Sequence, residues 1–159
     1  MMYDMGHLFA WHLYLESKPI FADKDFISSL GIPKRYKFAV EDVWSLIEIL
    51  KPIKNSVMEN SKNLIYEAGI TFVCARNIAI CSSPDLVKKY TFSIKAPLEQ
   101  GLKMSDVEFS KLVGCRYAST RGITPPKLTK EEFVSYYETI LNWSSNQLKN
   151  LENSCYENN

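Results

Sequence analysis

The chain has 159 residues, which is enough for one domain with a sizeable hydrophobic core and too few for two. Hydrophobic residues make up 46% of it and charged residues 23%, close to the globular average, which argues against wholesale disorder. The formal net charge of +1 excludes binding of nucleic acid through an overall basic surface, so any such contact requires a local basic patch.

The first helix that the pattern predicts covers residues 5–16, where four residues share one apolar face: Leu8, Trp11, His12 and Leu15. A connector follows at 18–38, with a short helix expected at 24–30. We expect the next helix at 40–58, with a kink at Pro52, because proline removes a backbone donor from the helix interior.

Residues 62–82 are apolar on nearly every side, which predicts a central helix contacted by several neighbours. Ser83 and Pro84 then resemble the cap and first position of a separate short helix. An irregular stretch is expected at 90–104. Capping-box patterns at Ser105–Glu108 and Thr129–Glu132 predict two further helices, ending near Thr120 and Asn153.

Together these patterns predict an all-α fold. We expect an up-and-down bundle of about four long helices, with short extra helices at the N-terminus and in the connections. An N-terminal helix and connector would occupy 1–38 and the helical bundle 39–155, as one structural domain overall. The bundle's apolar surfaces, together with Leu8, Trp11 and Leu15, favour a homodimer.

The cysteines and the N-terminus indicate a cytoplasmic protein. None of the four cysteines forms a C-x-x-C pair, and Cys74 and Cys81 lie in apolar helical patterns, which predicts buried free thiols in a reducing compartment. The first 17 residues lack the basic stretch of a secretory signal. No apolar run reaches 18 residues, so we expect no membrane contact.

Arg76 is the first candidate site residue, because a guanidinium in an apolar helix is costly to bury without a partner. It lies on nearly the same helical face as Gly69 and is followed by Asn77. Two interpretations stay open. In the structural interpretation, Arg76 forms a salt bridge to a carboxylate on another helix. In the functional interpretation, it contacts a phosphate or RNA.

The second candidate is the segment C-R-Y-A-S-T-R-G, which supplies Arg116, Ser119, Thr120 and Arg121 near a helix end. Arg116 lies on the apolar stripe of its helix, so two guanidiniums and two hydroxyls within two turns form a candidate anion site. A solvated helix end is the alternative. We expect Arg76 to be structural and Arg116 and Arg121 to contact a ligand.

Histidine chemistry is not predicted. His7 and His12 do not share a helical face, and no histidine follows them, so no Ser/His/Asp or Cys/His arrangement can form within the bundle. We therefore expect no catalytic residue, no metal and no cofactor.

The segment R-N-I-A-I-C, which begins at Arg76, resembles the HEPN family (higher-eukaryote and prokaryote nucleotide-binding domains). That resemblance implies an α-helical bundle, often a homodimer. Many members are ribonucleases with an R-x(4–6)-H motif, commonly with a polar residue after the arginine. Arg76 and Asn77 fit that motif, but Cys81 occupies the first position allowed for the histidine and no histidine follows.

Segments such as F-V-C-A-R-N-I-A-I and C-R-Y-A-S-T-R-G are also similar to bundles that accompany minimal nucleotidyltransferases, as in toxin–antitoxin pairs. This resemblance covers about residues 5–153 and implies a nucleotidyltransferase partner. It favours a non-catalytic module that binds nucleotide, RNA or that partner. The alternatives are a self-associating structural protein, and a ribonuclease in which Tyr117 or Cys81 replaces the histidine.

Overall fold

The computed structural model of the chain describes residues 2–18 and 29–157, and within them it contains helices and turns but no strand. The all-α class predicted from the sequence is therefore confirmed. The chain divides into two compact units, Met1–Ala39 and Val40–Asn159. The short helix expected at 24–30 falls largely outside the described residues.

The N-terminal unit contains helix α1 (Leu8–Glu16), which begins three residues later than predicted. Its fully buried residue is Ala10, whereas Leu15 is 50% exposed and His12 pairs with Glu16 at 3.0 Å near the surface. The predicted apolar face is thus only partly correct. Trp11 belongs to the packed side, because its indole Nε1 donates to the carbonyl of Lys34 at 2.9 Å.

The predicted helix at 40–58 is divided in two, α2 (Ala39–Leu50) and α3 (Ile53–Glu59), so Pro52 breaks the helix rather than kinking it. The carbonyls of Leu50 and Lys51 instead accept hydrogen bonds from the hydroxyl of Tyr137, at 3.0 and 3.3 Å. This tertiary contact satisfies groups that the break would leave unpaired. The buried residues of the two helices recur at helical spacing and are Val43, Ile47, Leu50, Ile53 and Val57, whereas Leu46 on the same apolar stripe is only half-buried.

Helix α4 (Leu64–Leu86) is the central element and follows a 3₁₀ turn at Ser61–Asn63. It packs against α3 and against three later helices, α5 (Ala96–Glu99), α6 (Asp106–Arg121) and α7 (Lys130–Glu157). The central position predicted for it is confirmed.

The prediction that a new helix begins at Ser83 and Pro84 is wrong, because α4 continues through Pro84. Proline has no N–H to donate to the carbonyl four residues earlier, which belongs to Ile80. The hydroxyl of Ser83 donates to that carbonyl at 2.9 Å. A side chain thus replaces the missing backbone donor and lets the helix continue.

Both predicted capping boxes are present. The hydroxyl of Ser105 accepts from the amide of Glu108 at 3.3 Å, and that carboxylate accepts from the amide of Ser105 at 2.8 Å. Thr129 and Glu132 repeat the pattern at 3.2 and 2.8 Å. Helix α7 runs four residues beyond its predicted end, and the stretch expected to be irregular contains the short helix α5.

By length and composition, one helical segment among the described residues could cross a membrane. It is Ser61–Leu86, whose most apolar window has a mean hydropathy of 1.4 and is 56% buried within the protein. The core helix of a soluble protein has the same properties, so the finding is weak evidence.

Candidate ligand-binding cleft

A cleft of about 430 Å³ lies between α4 and α6. It brings together three of the six predicted site residues, Arg76 and Asn77 from α4 and Arg116 from α6. The remaining lining is aromatic or aliphatic: Phe72, Val73, Ile94 and Tyr117. Two guanidiniums that are 40 residues apart in the sequence therefore share one site.

The packing of α4 on α6 explains why they meet. Ile65 lies near Ser119 and Phe72 near Phe109, so the two helices run in opposite directions. Helical side chains lean toward the N-terminus of their own helix. Arg76 therefore leans back along α4 and Arg116 leans the opposite way along α6, so each approaches the level of Phe72.

Gly69 permits the close approach of these helices. A Cβ atom built on Gly69 would lie 3.0 Å from the Cα of Arg116 and 3.1 Å from its backbone nitrogen. Carbon atoms in normal contact are about 3.5–4.0 Å apart. The lack of a side chain at Gly69 thus places the backbone of Arg116 directly against α4.

Arg76 is partly buried and binds main chain rather than a carboxylate. Its Nη2 donates to the carbonyl of Phe92 at 2.6 Å. Its Nε is buried and has no hydrogen-bond partner among the described residues. The structural interpretation of Arg76 required a salt bridge to a carboxylate on another helix. That salt bridge is absent from the part of the chain that the structure describes.

Arg116 is half-buried in the wall of the cleft. Within the ranges 2–18 and 29–157, its guanidinium makes no hydrogen bond and no ion pair. Its backbone carbonyl is occupied separately, by the hydroxyl of Thr120 at 2.8 Å. The charge of Arg116 is therefore not neutralised by a described neighbour.

Ser119 and Thr120 do not line the cleft. Their hydroxyls donate to carbonyls four residues earlier in the same helix, at 2.9 and 2.8 Å. Serine and threonine within helices commonly bond in this way. Arg121 lies nearer the site, because its guanidinium carbon stacks over the ring of Tyr117 at 4.6 Å from the centroid.

Four lining residues were not among the predicted site residues. Phe72 could have been identified, because it precedes Arg76 by four positions and so shares its helical face. Tyr117 is adjacent to Arg116 and belongs to the segment C-R-Y-A-S-T-R-G that predicted an anion site, although it was not among the predicted binding residues. Ile94 comes from the connection between α4 and α5, where no periodic pattern predicts its position.

The described residues include two buried, unreactive thiols and no cluster of metal-binding side chains. Burial raises the pKa of the Cys74 thiol to about 11 and has the same effect on Cys115, so both stay protonated at neutral pH. No group of three or more metal-binding side chains occurs among the described residues. His7 and His12 both belong to the N-terminal unit. The groups of the cleft are suited to binding an anion.

The chain was also compared with known proteins. No protein-family model, no curated protein and no solved structure matches it.

Proposed function

We propose that this chain is a non-catalytic helical binding module whose cleft between α4 and α6 binds the phosphate group of a nucleotide or of RNA. The observation that supports this is the sharing of one cleft by Arg76 and Arg116, without an ion pair to any carboxylate of the described residues.

Two cations in one cleft repel each other, and a bound anion relieves that repulsion. The planar guanidinium matches the geometry of phosphate oxygens and can donate two parallel hydrogen bonds. The amide of Asn77 adds a further donor in the same cleft. Phosphate is therefore the anion that these groups suit best.

The aromatic part of the cleft suits the rest of a nucleotide. Tyr117 lines the cleft, and Arg121 already covers one face of its ring. An aromatic ring offers a stacking surface that accepts any base. In this proposal the phosphate binds Arg76 and Arg116, while the base lies against Tyr117.

The resemblance of the segment at Arg76 to HEPN domains favours the same proposal. We also propose, on this resemblance, that the helices form an up-and-down bundle of about four long helices and that the protein binds a nucleotidyltransferase in the cytoplasm. Within the proposal, the absence of a histidine after Arg76 leaves binding without cleavage.

Titration calorimetry with AMP and with a short single-stranded RNA tests the proposal. We expect Arg116→Gln to weaken binding about tenfold or more, since a hydrogen bond to a charged group contributes about 1.5–3 kcal/mol. Lys149→Gln is the matched control, because it removes the same charge from an exposed position of α7 that does not line the cleft. Equal affinity of the parent protein and Arg116→Gln would contradict the proposal.

The alternative function, a ribonuclease with an altered active site, is tested by incubating the protein with a mixed RNA pool. Cleavage that disappears in Arg76→Ala would show that the protein is a ribonuclease and would contradict the proposal of a non-catalytic binding module. Tyr117 and Cys81 would then be the candidates for the histidine's role. Cys81 is only 5% exposed, which makes Tyr117 the better placed of the two.

Self-association is a second candidate function, and exposed apolar side chains favour it. Trp44, Met58 and Tyr66 are 55%, 54% and 58% exposed, respectively. Contiguous patches of such residues are typical of surfaces that bind a second copy of the chain. Light scattering at high micromolar concentration decides between a homodimer and a monomer, and a monomer would remove this candidate.

A further inference from the structure

One wall of the cleft belongs to the connection between α4 and α5. We call residues 88–95 the wall segment. Its Ile94 lines the cleft, and the carbonyl of its Phe92 accepts the hydrogen bond from Arg76. The guanidinium that faces the cleft is therefore also bonded to the main chain of the wall segment.

Two further hydrogen bonds that attach this segment to α4 are longer. The amide of Thr91 donates to the hydroxyl of Ser83 at 3.4 Å, and the amide of Lys89 donates to the carbonyl of Ser83, also at 3.4 Å. The segment begins at Lys88 with a φ of 58°, a left-handed conformation that is unfavourable for a residue with a side chain. The bond from Arg76, at 2.6 Å and from a charged donor, is the shortest of these attachments.

Arg76 can keep this bond while it binds an anion. A guanidinium carries five N–H donors, and the Phe92 carbonyl uses one of them. The Nε of Arg76 is buried, but Nη1 and the second hydrogen of Nη2 make no hydrogen bond to a described residue, so donors are left for a ligand. An anion that contacts Arg76 would hold the guanidinium in the orientation that also suits Phe92.

We infer that Arg76 couples anion binding in the cleft to the anchoring of the wall segment. The inference rests on the proposed function, since it needs the cleft to bind an anion. Coupling of this kind is reciprocal: the anion stabilises the wall segment, and the anchored segment strengthens anion binding by fixing Arg76.

Amide hydrogen exchange measured by NMR, with and without saturating AMP, tests the coupling. We expect AMP to slow exchange at Thr91, Ser93 and Lys95 by about fivefold or more, the lower end of typical coupling effects. In Arg76→Gln these amides should exchange faster in the free protein, and AMP should no longer slow them even at a concentration that saturates this variant.

Arg116→Gln is the matched variant, because it removes a guanidinium from the same cleft without touching the wall segment's bond. Its free protein should exchange as the parent does, and AMP should still slow exchange once its concentration offsets the weaker affinity. If Arg76→Gln does not fold, Arg76→Lys keeps the charge and tests the loss of the forked geometry.

The outcomes separate the two proposals. If AMP binds but leaves exchange at Thr91, Ser93 and Lys95 unchanged, the coupling is wrong and the binding function stands. AMP-induced slowing that persists in Arg76→Gln would show that Arg76 does not carry the coupling. If AMP does not bind the parent protein, both the ligand-linked coupling and nucleotide binding are wrong.

Discussion

Gly69→Ala tests the helix packing on which the cleft depends. The added Cβ would lie 3.0 Å from the Cα of Arg116 and 3.4 Å from the carbonyl carbon of Cys115. Both atoms belong to the backbone of α6, which cannot move away as a flexible side chain can. The helices must therefore separate by about half an ångström to restore normal carbon contacts.

Two opposing effects set the magnitude. Overpacking typically costs about 1–3 kcal/mol, whereas alanine is favoured over glycine inside a helix by about 0.8–1.0 kcal/mol. The expected net loss of stability for Gly69→Ala is about 0–2 kcal/mol. Gly114→Ala is the matched control in α6, because its Cβ would meet the side chain of Pro126 at 3.2 Å in the connection after the helix.

Only a connecting-loop side chain has to give way at Gly114, so that variant should be stabilised by about 0.8–1.0 kcal/mol. Urea unfolding of both variants measures the difference, which we expect to be about 1–3 kcal/mol. Gly69→Ala should also bind AMP more weakly, since it shifts Arg116. If Gly69→Ala proved as stable as Gly114→Ala, the close packing of α4 on α6 would be refuted.

Three further predictions concern single groups. Tyr137→Phe should cost about 1–3 kcal/mol in urea unfolding, because it leaves the carbonyls of Leu50 and Lys51 without this donor, and an unchanged midpoint would contradict that role. The backbone amide and hydroxyl of Ser105 lower the pKa of the Glu108 carboxyl below its ordinary value of 4.5. Its stabilising effect is therefore present above pH 4.5 and lost as pH falls through the folded-state pKa, so Glu108→Gln should destabilise at pH 7 but much less at pH 3. Burial raises the pKa of the Cys74 and Cys115 thiols to about 11, so iodoacetamide at pH 7.5 should modify them only after unfolding, and mass spectrometry of the native protein would reveal any earlier reaction.

The helices that the sequence located best are those whose signals are local. The capping boxes at Ser105 and Thr129 form within four residues, so they need no tertiary contact and appear as predicted. The buried side of α2 and α3 is of the same kind, because its apolar residues recur in the sequence at helical spacing. Short-range hydrogen bonds and periodic burial are properties that a single segment carries by itself.

The two prolines within helical patterns show where local signals fail. Pro52 ends one helix before the next begins, whereas Pro84 lies inside a continuous helix. The two sites differ in which group donates hydrogen bonds to the carbonyls near the proline. At the first site the distant hydroxyl of Tyr137 does so, and at the second the adjacent hydroxyl of Ser83 does so. The first of these partners is remote in sequence, and no helical pattern near Pro52 reveals it.

Some features of the candidate site likewise follow from the local sequence, and others depend on tertiary contacts. By itself the sequence determined that Arg76 and Arg116 are unusual, because each guanidinium falls on an apolar helical stripe, where its burial is costly. Only the tertiary structure decided that both enter one cleft and that a carbonyl, not a carboxylate, holds Arg76. The physical reason is that the cleft arises from the antiparallel packing of α6 across Gly69, a contact between segments too far apart in the chain for local patterns to encode.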